Sequence, residues 1–113
     1  MECTFEDLGD VLKIALDGRF VAANADEVRE QVTKRIGTAK KIVFDLSKMA
    51  HIDSSGLGVL VQFQKRANAE GIAVRLAGLL PHPRLVFDIT KVYRVFEISE
   101  TVDLALASLA GKA

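Results

Sequence analysis

Ile42-Val43-Phe44-Asp45 and, eight residues further on, Asp53-Ser54-Ser55-Gly56-Leu57-Gly58 form the stretch whose reading decides the fold. Three consecutive apolar residues rich in strand formers, led in by Lys40-Lys41 and ended by an acid, predict a strand that is covered and central in its sheet. A short loop then brings the chain to Ser54-Ser55, which open a helix. Leu57, Leu60, Val61, Gln64 and Ala67 mark its inner side, Lys65, Arg66 and Glu70 its outer side, and Gly71 ends it.

The same alternation extends in both directions. Upstream, Thr4 to Leu8 and Val11 to Leu16 read as two strands, with Gly9-Asp10 as the hairpin turn. Asn24, with Glu27 three residues later, reads as the cap of a helix whose buried stripe is Ala25, Val28, Val32 and Ile36, and Gly37 stops it. Downstream, Ile72 to Ala77 is another strand. Pro81 and Pro83 open a third helix with Leu85, Ile89 and Val92 on one face. Val95-Phe96-Glu97-Ile98 reads as a last strand, and Ser99 as the cap of a final helix with Val102, Ala105, Leu106 and Leu109 inward. Strands alternating with helices imply parallel crossovers in one sheet, and the hairpin adds an antiparallel edge. With no repeat, linker or low-complexity segment, residues 1–113 are expected to be one domain.

Composition narrows the classes. Half the residues are hydrophobic, enough for a real core, and fifteen acids balance fifteen bases. That balance argues against nucleic-acid binding, which brings a basic excess or stripe. A single cysteine, Cys3, excludes an internal disulfide framework and cysteine-based zinc clusters. The start, Met1-Glu2-Cys3-Thr4, lacks the basic and apolar regions of a signal peptide, and no apolar run nears the roughly 20 residues of a membrane span. The expectation is a soluble, cytoplasmic domain with no metal and no cofactor.

Asp53-Ser54-Ser55-Gly56 lies just beyond a central strand, at the sheet end where ligands and partners meet the loops of such folds. A helix cap accounts for these residue types by itself, since serine is a favoured cap and glycine allows a tight turn. The functional alternative is phosphorylation. A phosphate on Ser54 or Ser55 adds about −1.5 to −2 charges, in a place where a helix N-terminus tolerates an anion. The protein then stays folded, while a partner fitted to a small neutral serine meets a bulky dianion beside Asp53. A serine hydrolase fits worse, because Gly-x-Ser-x-Gly is absent and His51 reads as a loop residue. His82, between two prolines, reads as an exposed residue at a helix start. Gly56 and Gly58 lack the Walker lysine, and the two histidines and one cysteine have no metal-ligand spacing. Arg75, Arg84, Lys91 and Arg94 read as solvated charges, with one shared basic surface as the alternative.

Asp53-Ser54-Ser55-Gly56-Leu57-Gly58 resembles the phosphorylation-site motif of STAS domains, the fold of bacterial anti-sigma factor antagonists. The resemblance covers nearly the whole chain. Gly18-Arg19-Phe20-Val21-Ala22-Ala23-Asn24-Ala25 is similar to the family's segment before its first helix. Ile42 to Ser47 resembles the strand leading to the serine loop, and Pro83 to Thr90 and Val95 to Ile98 its late helix and strand. The family often has an acid, an apolar residue and Asp after its glycine, where this chain has Arg19, Phe20 and Val21. A glycine common after the late helix is here Lys91, which implies a different helix end.

The resemblance implies an α/β STAS fold: a mixed, mostly parallel sheet of four to five strands with about four helices packed mainly on one side. It implies a non-enzymatic partner switch. The unmodified protein binds a serine kinase that holds a sigma factor inactive. That kinase uses ATP to phosphorylate Ser55, and a phosphatase reverses the step. Asp53 shapes the loop, and Ser54, Ser55, Gly56, Leu57 and Asn24 belong to the partner-binding surface. An accessory subunit of an ABC-type transporter and a component of a stress-signalling assembly share this fold. The intact serine motif favours the switch.

Overall fold

In the computed structural model, which describes residues 1–110, apolar residues alternate along each inner strand and so feed two faces of one sheet. Strand β1 (Glu2–Leu8) pairs antiparallel with β2 (Val11–Phe20). Strand β3 (Lys41–Asp45) lies parallel to β2, with Ile14 opposite Phe44. Next to it runs parallel β5 (Ala73–Ala77), with Phe44 opposite Leu76, and then the two-residue strand β6 (Ile98–Ser99). The order is β1-β2-β3-β5-β6. A sixth strand, β4 (Met49–Ile52), pairs in parallel with the far end of β2, where Gly18 faces Met49 and Phe20 faces Ile52. The register shifts between Gly18 and Arg19, which bends β2 so that its last residues can serve a second neighbour.

Helices α1 (Ala22–Ile36), α2 (Ser54–Glu70) and α3 (Pro81–Thr90) cover one face. Leu12, Ile14 and Leu16 of β2, Ile42 and Phe44 of β3, and Val74 and Leu76 of β5 meet Val32, Leu60, Phe63 and Phe87 there. Complete burial of each such side chain stabilises by about 1.5–3 kcal/mol. The residues between them, Val11, Val43 and Ala77, face the other way and meet Ala105 and Leu109 of α4 (Val102–Ala110). Three helices on one side and one on the other match the expected STAS arrangement.

Several boundaries differ from the sequence reading. The segment before the serine loop is strand β4, which makes six strands in place of four to five. Met-Ala-His-Ile has no alternation of its own, and it extends only because the bent end of β2 offers it a ladder. Helix α1 starts at Ala22, so Asn24 is a residue of its first turn and not its cap. Val59 and Phe63 widen the buried side of α2. On α3 the buried residues are Pro83 and Phe87, while Leu85 and Ile89 face outward. The last strand is shorter and later than Val95–Ile98, and α4 is capped by Thr101, whose Oγ1 accepts the Leu104 N–H at 3.1 Å, in place of Ser99. Arg75 bonds Ser108 of α4 and is separated by the sheet from Arg84, Lys91 and Arg94.

Lys91 was expected to change how α3 ends. It instead adopts the left-handed conformation a glycine would take, with φ 62° and ψ 18°, and its N–H donates to the Asp88 carbonyl at 3.3 Å. A Cβ in that conformation is crowded, so the side chain costs stability there. Lys91→Gly is expected to stabilise the fold by about 0.5–1 kcal/mol, seen as a rise of several degrees in the melting temperature. Lys91→Ala, which keeps the Cβ, should not reproduce the gain.

Candidate functional site

The serine loop forms where three chain segments are stitched together. The end of β2, the end of β4 and the start of α1 meet around Asp53. The Asp53 N–H donates to the Phe20 carbonyl at 3.1 Å, which continues the β2–β4 ladder one step beyond Ile52. The Asp53 carboxylate then caps two helices. Its Oδ1 accepts the N–H groups of Ser55 at 2.9 Å and Gly56 at 3.1 Å, in the first turn of α2. Its Oδ2 accepts the N–H of Ala22, the first residue of α1, at 3.0 Å. Helix starts leave such N–H groups without backbone partners and carry partial positive charge, so one carboxylate answers both.

Helix α1 needs this help because Val21, at its cap position, has no side-chain acceptor. Asn24 supplies the rest. Its Oδ1 accepts the Val21 N–H at 3.0 Å, and its Nδ2 donates to the Arg19 carbonyl at 2.8 Å. The amide of Asn24 is thus spent on holding the β2–α1 loop.

The serines are left over. Ser54 and Ser55 are exposed on the first turn of α2, and neither hydroxyl makes a hydrogen bond among the described residues. The cap is Asp53 and not a serine, so the fold does not call on either hydroxyl. The other two predicted residues of the motif face inward. Leu57 is buried in the core. Gly56 is buried against the β2 end, where an added Cβ would stand 2.5 Å from the Phe20 carbonyl oxygen and 2.8 Å from its Cγ. The motif therefore offers its outer surface through Ser54, Ser55 and exposed Gly58.

His51 lies on β4 and not in a loop. Its ring stacks on His82 of α3, with centroids 4.5 Å apart and planes 13° from parallel. That ties α3 to the strand that leads into the serine loop. Neither this stack nor the bond from Ala22 that makes Asp53 a shared cap was legible in the sequence, because those partners are remote along the chain.

The electrostatics keep Asp53 ionised. The amide of Gly56, and after it those of Ala22 and Ser55 together with nearby His51, hold its carboxyl below the usual carboxylate range against the effect of partial desolvation.

The chain belongs to the STAS domain family, whose model matches residues 3–105. It is similar to BtrV of Bordetella bronchiseptica, a protein named as a candidate anti-sigma factor antagonist. The two are 26% identical over 109 residues, covering 96% of this chain and 94% of BtrV. The fold matches the crystal structure of a candidate anti-sigma factor antagonist from Thermotoga maritima with a TM-score of 0.89, at 23% identity over 94% of this chain and 92% of that one. It also matches the anti-sigma factor antagonist SpoIIAA in its unphosphorylated form, with a TM-score of 0.74 at 18% identity over 97% and 99% of the two chains. SpoIIAA of Bacillus in its phosphorylated form matches with a TM-score of 0.72 at 19% identity over 96% and 99%. This is a STAS domain whose relatives and fold neighbours include anti-sigma factor antagonists.

Two outcomes follow from the geometry. Gly56→Ala is expected to cost about 1–3 kcal/mol by forcing the loop off Phe20, read as a lower denaturant midpoint. The second concerns pH. Asp53 binds its proton less tightly folded than unfolded, so the stability it adds is present above roughly pH 4 and is lost as the pH falls through its depressed value. Asp53→Asn should lower the melting temperature at pH 7 and flatten the loss of stability on acidification below pH 4.

Proposed function

We propose that this chain is a cytoplasmic partner switch, one domain over residues 1–113, that binds an anti-sigma factor with serine-kinase activity and is released when Ser55 is phosphorylated. The observation that carries this reading is the division of labour in the loop. Asp53 does the capping, so Ser55 stands exposed on a helix start with its hydroxyl uncommitted.

In the unmodified state, Ser54, Ser55 and Gly58 make a small neutral surface that a partner can approach closely. A phosphate on Ser55 stands next to a carboxylate that already holds the free amides of the helix start. The added charge of about −1.5 to −2 is left to face the partner, where it meets repulsion and a desolvation cost. Among the described residues no hydrogen bond uses the Ser55 hydroxyl, so the phosphoprotein keeps its structure. The family match and the likeness to a protein known in phosphorylated and unphosphorylated forms support this reading. A phosphatase that removes the group resets the switch. In this reading the chain acts by binding and release, without chemistry of its own.

Incubation with the host's serine-kinase anti-sigma factor and ATP is expected to add one phosphate to the wild type and none to Ser55→Ala, measured by intact mass. Ser55→Asp should bind the kinase more weakly while its far-ultraviolet circular dichroism stays native. An alanine variant phosphorylated as fully as the wild type would overturn the assignment of Ser55.

A further inference from the structure

Helix α3 carries an apolar ridge that the fold does not cover. Leu85 is 55% exposed, Ile89 70%, Tyr93 42% and Val95 52%. Leu85 and Ile89 lie four residues apart on the side of α3 opposite to buried Pro83 and Phe87, and Tyr93 and Val95 follow in and after the 3-10 turn Val92–Arg94. Side chains of this size at such exposures leave on the order of 100 Å² each. The ridge therefore offers about 400 Å² of apolar surface, the size at which a patch on a monomer is often functional.

The geometry points to this ridge as the second half of the surface that docks the partner of the serine loop, an inference that rests on the function proposed above. Continuity is the first ground. Helix α3 packs on β4, and His82, three residues before Leu85, stacks on His51, two residues before Asp53. One partner surface can therefore run from Ser55 over the histidine pair and along the ridge.

Area is the second ground, and it argues against a second copy. Two copies of the chain meeting ridge to ridge bury about 800 Å², no more than a lattice contact and short of the roughly 1,000 Å² expected of a specific interface. Charge is the third. Arg84, Lys91 and Arg94 stand along the ridge against Asp88 and Glu97, and none of these cations has an ion-pair partner among the described residues. The partner is thus a protein that presents an apolar strip edged with acidic side chains.

The test compares wild type, Ser55→Ala and Leu85→Ser/Ile89→Ser with the same purified kinase and ATP. Both substituted side chains are exposed, so the double variant should keep the wild-type melting temperature. The expected result is phosphorylation of Ser55 in the double variant with KM for the chain raised by about tenfold or more and kcat within about twofold, because the docking surface and not the serine is altered. Equal KM for wild type and double variant overturns the ridge and leaves the switch standing. No binding and no phosphorylation of the wild type overturns the switch and the ridge with it. Sedimentation of the chain alone gives the other outcome: a wild-type dimer that the double variant abolishes assigns the ridge to a second copy and overturns the proposal.

Discussion

One carboxylate holds the working end of this protein together. Asp53 receives N–H groups from the first turns of two helices, while its own N–H extends the ladder between β2 and β4. Two helix starts, each with partial positive charge, converge on a single negative group. The position of α1 relative to α2 is thereby fixed at the place where both leave the sheet. Gly56 makes this possible, since any side chain there would collide with Phe20 and push the two segments apart.

This arrangement frees the residues next to it. A serine that capped α2 would have its oxygen turned inward to the backbone amides. With Asp53 in that role, Ser54 and Ser55 face solvent, and neither hydroxyl is hydrogen-bonded among the described residues. The proposed switch and the scaffold are thus separate groups on adjacent residues. The histidine stack continues the same logic outward: it joins the strand that enters the loop to α3, whose outer face carries the apolar ridge. The core lies behind all of this, between three helices and one face of the sheet, with α4 sealing the other face.

Much of this was legible from the residues. The alternation of strands and helices, the antiparallel hairpin, the central place of Ile42-Val43-Phe44 and the inner side of α4 were read correctly. These features depend on local periodicity, and burial on one or two faces imposes that periodicity directly on the sequence. The serine loop was placed after a strand and at a helix start for the same reason. Three misreadings have a common cause. Asn24 for a cap, His51 in a loop and a missing sixth strand each involve a partner distant along the chain.

The sequence by itself determined the layering: which residues of α1, α4 and the central strand are buried, where helices alternate with strands, and that an acid and two serines open a helix. Only the tertiary structure decided the roles within that motif. Asp53 became the shared cap because β4 sets it beside Ala22, 31 residues away in the chain. Leu57 and Gly56 turned inward because the helix start is packed against Phe20 and the core, while Ser55 was left outside. Periodicity is a local property and can be read along a chain, but a hydrogen bond between remote segments exists only after the sheet has brought them together.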